Sequence, residues 1–175
     1  MLLNFGDPKQ KLIKSVIVPI GNIGLFMKIS AIEQLIEVFR RLIFSLVIGN
    51  YDAHAKNFSV SSDDAISLSP AYNLVCTALY EDLDTTFAML IGKANDFESL
   101  DEEALRQLFD TIQKKYNTIR KQLIKYADLS LNAVSDVVTG FKEGDYYQID
   151  LDSAERILEI VKANHETVIR VLEYK

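Results

Sequence analysis

In Gly49-Asn50-Tyr51-Asp52-Ala53-His54-Ala55-Lys56-Asn57-Phe58-Ser59 an aspartate, Asp52, stands five positions before an asparagine, Asn57, directly behind a long apolar segment. Glycine followed by asparagine stops a helix, because glycine accepts the left-handed conformation that a helix terminus needs. The polar residues that begin at once are therefore expected to form a loop at the end of a buried helix. In such a loop Asp52 can accept or orient the proton of a hydroxyl, and Asn57 can turn its amide oxygen to a Mg²⁺ held by nucleotide phosphates. Both residues must then sit on one rigid turn. Taken alone, an Asp and an Asn at this spacing also occur in loops with no chemistry, so the pair needs support from its surroundings.

Working upstream, apolar residues recur at Ile32, Leu35, Ile36, Phe39, Leu42, Ile43, Leu46 and Val47, the spacing of one helical face. The spacing predicts a helix over 31–48 with Ser30 as its cap. Val38, Phe44 and Ile48 make its second half apolar nearly all round, which marks it as the central helix of a core.

Working downstream, Phe58 to Val60 and Ile66 to Leu68 read as short extended segments joined by a turn at Ser61-Ser62-Asp63-Asp64, a small β-hairpin. Ser69-Pro70-Ala71-Tyr72-Asn73-Leu74-Val75 follows, then the acidic Glu81-Asp82-Leu83-Asp84, then a third candidate strand from Thr85 to Ile91 that ends at Gly92. From Ser99 the pattern is helical: Ser99 with Glu102 fits a capping box, and Leu105, Leu108, Phe109 and Ile112 form a stripe. Further helices are expected at 116–126, around 132–139 and from Asp152 to Leu172, with 140–148 the most loop-like stretch.

Composition narrows the function classes. The 175 residues are 49% hydrophobic, enough to bury one core, with a net charge of −6 and a pI near 5.0. That sign argues against direct binding of nucleic acid. The basic residues Lys114, Lys115, Arg120, Lys121 and Lys125 are spaced like the solvated face of a helix. The longest uncharged run, Leu42 to Tyr51, is far short of the roughly 20 apolar residues of a membrane span, so no transmembrane helix is expected. The apolar stretch from Val16 to Met27 is broken by Pro19, Gly21 and Gly24 and no cleavage pattern follows, so no signal peptide is expected and the cytoplasm is the default location. The single cysteine, Cys76, cannot form an intrachain disulfide and reads as a buried, inert thiol. His54 beside Asp52 hints at a metal site, but the only other histidine is His165 in the last helix, too few ligands for one. Glu81, Asp82 and Asp84 lack the glycine of a calcium loop. Phe141, Tyr146 and Tyr147 read as packing residues between helices.

The run from Phe39 through Gly92 resembles the HipA-like family of bacterial serine/threonine kinases. The match lies in Ile48 to Ser59, in the block Leu68 to Leu74 and in the Thr85-to-Gly92 segment. The resemblance implies a mainly α fold, a kinase C-lobe-like helical bundle with a small β-hairpin and short strands at the catalytic loop. It divides the chain into a strand-and-turn segment at 1–30 and a HipA-like C-terminal domain at 31–175. It implies Asp52 as catalytic base, His54 and Lys56 as supporting residues of the catalytic loop, and Asn57 and Asn73 as the positions that hold Mg²⁺ and ATP.

Two departures from the family pattern carry consequences. Asn73 stands where the family has a second metal-binding Asp, and an amide oxygen binds Mg²⁺ more weakly than a carboxylate, so weakened or absent Mg²⁺ and ATP binding is expected. Residues 1–30 carry Gly21 and Gly24 but no phosphate loop followed by a lysine-bearing strand, so the ATP-gripping lobe is not expected within this chain. Two classes of function follow. One is a catalytic half that gains kinase activity toward a protein substrate when a separate N-lobe polypeptide completes it, in a toxin-antitoxin setting with a HipB-like DNA-binding antitoxin. The other is a non-catalytic, partner-binding module. In either case an apolar face is expected where the missing lobe would dock.

Overall fold

A computed structural model describes residues 32–61, 67–111, 116–144 and 150–173 of the chain. Within them lie four α-helices: α1 (Ile32–Val47), α2 (Glu102–Thr111), α3 (Tyr116–Glu143) and α4 (Leu151–Glu173). Between α1 and α2 the chain is largely irregular, with single 3₁₀ turns at Ala55–Asn57 and Thr77–Leu79 and two short strands, β1 (Val60–Ser61) and β2 (Ser67–Leu68). The fold is mainly helical, as expected. The 1–30 segment and Ser30 lie outside the described residues.

The long helices α3 and α4 pack along each other and both pack on α1. Val38, Phe39, Leu42, Ile43, Leu46 and Val47 of α1 are all at most 5% exposed. They meet Ile119, Leu123 and Ala127 of α3, Val161, Val168 and Leu172 of α4, and Leu105 and Leu108 of α2 in one cluster. Burying each of these larger side chains contributes about 1.5–3 kcal/mol. The nearly all-apolar second half of α1 is thus the hub that the sequence pattern predicts.

α1 ends in a Schellman turn. Gly49 takes φ +70°, its N–H donates to the Leu46 carbonyl at 3.1 Å, and the Asn50 N–H donates to the Ser45 carbonyl at 2.8 Å. These bonds satisfy carbonyls that a helix end leaves unpaired. They also fix the direction in which the following loop leaves the core.

β1 and β2 are antiparallel, with Val60 opposite Leu68 and Ser61 opposite Ser67, and the Ser69 N–H adds a bond to the Ser59 carbonyl at 2.9 Å. Residues 62–66, where the turn is expected, lie outside the described residues. The third candidate strand does not form. The Phe87 N–H goes to the Asn95 carbonyl and the Ala88 N–H to the Tyr51 carbonyl, so this backbone is satisfied by loops, and only an isolated bridge joins Ile91 to Ala94.

Helix boundaries differ from the sequence pattern in three helices. α2 is capped by Asp101, whose carboxylate accepts from the Ala104 N–H at 2.7 Å, whereas Ser99 closes a separate turn with Asn95 and Asp96. The two helices expected at 116–126 and 132–139 are one continuous helix that also takes up 140–143. The Ser130 hydroxyl donates back to the Tyr126 carbonyl at 2.8 Å, so the polar residue in mid-helix is satisfied locally and no break is needed. α4 starts one residue before the expected position, with Asp150 accepting from the backbone and hydroxyl of Ser153. No helix among the described residues is long and apolar enough to cross a membrane.

Candidate functional site

The loop after α1 is built around one carbonyl. The backbone oxygen of Asp52 accepts from the His54 N–H at 2.8 Å and from the Asn57 side-chain amide at 3.1 Å. The Asn57 N–H in turn donates to the His54 carbonyl at 2.9 Å, closing the 3₁₀ turn Ala55–Asn57. Asp52 and Asn57 therefore share one tight turn. Because the Asn57 nitrogen is engaged inward, the oxygen of the same amide is the atom left for another partner.

Asp52 and Lys56 are exposed, while His54 and Asn57 are half-buried. The Nδ1 atom of His54 is buried without a hydrogen-bond partner. Asn73 is exposed and adopts φ +55°, a left-handed conformation that asparagine and aspartate tolerate better than most residues. Its segment is tied to the Asp52 loop at two points: the Asn50 amide donates to the Asn73 carbonyl at 2.8 Å, and the Tyr72 hydroxyl donates to the Lys56 carbonyl. Asp52, His54, Lys56, Asn57 and Asn73 are thus carried by two segments that hydrogen bonds join directly.

A third tie comes from Thr77. Its hydroxyl donates to the Gly49 carbonyl at 3.1 Å and accepts from the Tyr51 N–H at 2.8 Å, and the Ala78 N–H also reaches the Gly49 carbonyl at 3.0 Å. Helix α4 buttresses this turn, with Arg156 donating to the Leu79 carbonyl at 3.3 Å. On the other side Tyr51 packs with Phe87 and Phe97, ring centroids 6.2 and 6.1 Å away, and burial pushes its phenol above its usual pKa, with Cys76 adding to the shift. Sequence reasoning missed Asn50, Tyr72 and Thr77. Each acts on a partner at least 16 residues away, and no local spacing signals such a contact.

The remaining candidates stand apart. Burial raises the pKa of the Cys76 thiol, against the opposing pull of backbone N–H groups from Leu79 and Ala78, as suits an inert thiol. Glu81, Asp82 and Asp84 are exposed; Glu81 faces Arg156 at 3.5 Å and Asp84 closes a turn onto the Thr86 N–H. His165 pairs with Asp128 at 2.8 Å between α4 and α3. Among the described residues no three His, Cys, Asp or Glu side chains gather into a metal site. Tyr72, Leu74 and Val75 beside Asn73, and Tyr80 and Leu83 further along the chain, are large apolar side chains 43–57% exposed.

Comparison with known proteins gives the family. Residues 22–164 match the family model described as the HipA-like C-terminal domain. The Sinorhizobium fredii protein Y4mE is 31% identical over 106 residues, covering 60% of this chain and 25% of that protein. The serine/threonine-protein kinase toxin HipA of Shewanella oneidensis is 30% identical over 103 residues, covering 58% of this chain and 24% of the toxin. A solved complex of Shewanella oneidensis HipA, HipB and operator DNA contains a chain that superposes with a TM-score of 0.66 at 23% identity, covering 80% of this chain and 34% of that one. The chain spans about a quarter of the length of the curated relatives it matches. With the match running over most of its length, the chain belongs to the family of HipA-like C-terminal domains.

Proposed function

We propose that this chain is the catalytic-lobe part of a HipA-like serine/threonine protein kinase, competent for phosphoryl transfer only when an ATP-gripping lobe completes it. The observation that carries the proposal is the Asn57 amide donating to the Asp52 carbonyl, which holds the Asp52 carboxylate and the Asn57 amide on one turn. In this reading Asp52 accepts the proton of a substrate hydroxyl as its oxygen attacks the γ-phosphorus and ADP leaves. Lys56 and His54 shape the loop beside it. The oxygens of Asn57 and Asn73 are the groups that would hold Mg²⁺, which supplies charge neutralisation on the phosphates when bound.

The donor set suits a Mg²⁺ that arrives on nucleotide phosphates better than a resident ion. It offers one exposed carboxylate, Asp52, and two neutral amide oxygens, and Mg²⁺ usually takes its remaining ligands from water and phosphate. The lobe that would supply those phosphates is provided by further sequence of the same polypeptide or by a second one. The partners that follow are a protein substrate and a HipB-like DNA-binding antitoxin, in the cytoplasm, by analogy with the HipA, HipB and operator complex.

A second reading, a non-catalytic module that binds a partner, draws on the exposed apolar side chains of Tyr72, Leu74 and Val75 and on the neutral Asn73 between them. The two separate in one experiment. The 175-residue chain is mixed with an N-lobe taken from a HipA-like relative, and Mg²⁺-ATP binding and transfer of labelled phosphate to protein are measured. The kinase reading expects transfer that Asp52→Ala abolishes while nucleotide binding survives, and weaker binding in Asn57→Ala. Binding of the lobe with no nucleotide uptake in any variant would leave the partner module.

A further inference from the structure

Beneath the catalytic loop two buried side chains carry polar atoms without partners. Arg41 is 8% exposed; its Nε donates to Glu37 at 3.0 Å, but its Nη1 has no acceptor. Asn50 is 5% exposed; its amide nitrogen donates to the Asn73 carbonyl, but its Oδ1 has no donor. Leaving either group unsatisfied is costly, more so for the charged one. Both atoms belong to residues that line the same small pocket, together with Ser45, Asn57, Tyr72 and Asn73. The pocket's volume is about 10 Å³.

We propose that this pocket is a binding site for one structural water, held between Arg41 Nη1 and Asn50 Oδ1 with the Ser45 hydroxyl as a further partner, and that Arg41 positions the Asn73 segment through it. A space of this size is at the lower bound for holding one water, and the two buried polar atoms are what select water as the ligand. The polarity matches, since a water accepts from the guanidinium and donates to the amide oxygen. The water also fixes the orientation of the Asn50 amide. Turned the other way, Asn50 would present an oxygen to the Asn73 carbonyl and lose the 2.8 Å bond that joins the two site segments. Arg41 sits on the rigid central helix α1, so the chain Arg41, water, Asn50, Asn73 references the exposed segment to the core. That Asn73 matters for metal binding rests on the kinase reading; the water site does not.

The test needs no nucleotide, so it can fail or succeed independently of kinase activity. In a high-resolution crystal structure of the 175-residue chain, an ordered water is expected within hydrogen-bond reach of both Arg41 Nη1 and Asn50 Oδ1. In solution, Arg41→Met should speed hydrogen exchange of the Asn50, Tyr51 and Ala78 amides about tenfold, the loss of roughly one hydrogen bond, and should shift the Asn50 side-chain amide resonance. Exchange at Leu123 and Ala127 in α3 should change far less, and Arg41→Lys, which keeps N–H donors, should restore most of the protection. A pocket without such a water overturns the proposal. So does an Arg41→Met chain whose loop exchanges as slowly as wild type, or whose loop and α3 accelerate equally. If Arg41→Met does not fold, Ser45→Ala and Arg41→Lys are read against the water position in the crystal.

Discussion

The Asn57 side-chain amide donates to the backbone carbonyl of Asp52 at 3.1 Å, so the residue proposed to hold the metal also fixes the backbone of the residue proposed as base. One side chain links the two roles. Substituting it should therefore disturb the loop even where no nucleotide is present. Asn57→Leu removes the donor while keeping a similar shape, and hydrogen exchange at the amides of His54, Asn57 and Phe58 is expected to rise several-fold, as suits a bond worth about 1 kcal/mol. Global stability should change little, because Asn57 itself is not among the side chains that pack on the core. Unchanged exchange at these amides would mean that the turn is held by its backbone alone.

Thr77 is the stronger test of how the two segments are joined. Its hydroxyl serves as acceptor for Tyr51 and donor to Gly49. Thr77→Val is nearly isosteric and leaves the Tyr51 N–H without its acceptor, so a loss of about 1–3 kcal/mol is expected by urea denaturation. Thr77→Ser should recover most of it. A valine variant as stable as wild type, with the serine variant below it, would show that the methyl group, not the hydroxyl, is what the site uses.

The left-handed glycines Gly49 and Gly92 should respond unequally. A Cβ at Gly49 would stand 2.8 Å from the Ala78 side chain, whereas one at Gly92 would stand 2.2 Å from the Ala104 carbonyl in the first turn of α2. Both positions carry the left-handed penalty of about 1–2 kcal/mol. Only at Gly92 must a helix backbone move as well. Gly92→Ala is expected to lower the melting temperature more than Gly49→Ala, and the reverse order in a thermal melt would contradict the packing described for α2.

Much of this architecture is legible in the residue pattern, and the exceptions share a cause. The α1 and α4 boundaries fall within about one residue of the periodic reading, because their apolar stripes face a single core. The apolar pattern alone reads α3 as two helices, 116–126 and around 132–139, and Ser130, whose hydroxyl bonds the Tyr126 carbonyl, lies in the stretch that joins them. The 85–91 segment reads as a strand by residue type, yet Phe87 is there to pack on Tyr51 and Phe97. The Asp52 and Asn57 pair shows in the spacing, but Asn50, Tyr72 and Thr77 act across the chain, and only three dimensions bring them to the site.

Asp101 gives the chain a pH dependence of definite sign. Hydrogen bonds from Lys93 and from the Ala104 N–H hold its carboxyl below the usual range, and the same contact raises Lys93 above its own. A carboxyl depressed in the folded state stabilises fully above its unfolded pKa and stops doing so as pH falls through the folded value. A raised lysine stabilises below its unfolded pKa and loses that contribution as pH rises through the folded one. Comparing wild type with Asp101→Asn, the stability gap should be flat around neutral pH, shrink below the normal carboxylate range and shrink again at strongly alkaline pH. A gap independent of pH would mean that Asp101 acts as a neutral cap only.

Asn73→Asp is the substitution in which backbone and charge effects separate most cleanly. Asn73 sits at φ +55°, and aspartate enters that region nearly as readily as asparagine, so the change adds a carboxylate without rebuilding the loop. The bond from Asn50 uses the Asn73 backbone carbonyl and survives the substitution. Every change in ligand binding is then assignable to the new charge. If the site takes Mg²⁺ on nucleotide phosphates, the variant joined to an ATP-gripping lobe should bind Mg²⁺-ATP at least tenfold more tightly than wild type, a gain of about 1.4 kcal/mol. With Mg²⁺ omitted the added negative charge should instead weaken ATP binding, because it repels the phosphates. Calorimetry in the presence and absence of Mg²⁺ reads both arms. The same affinity in the two proteins, with and without the metal, would remove Asn73 from the metal site and leave it as a turn residue that happens to face the loop.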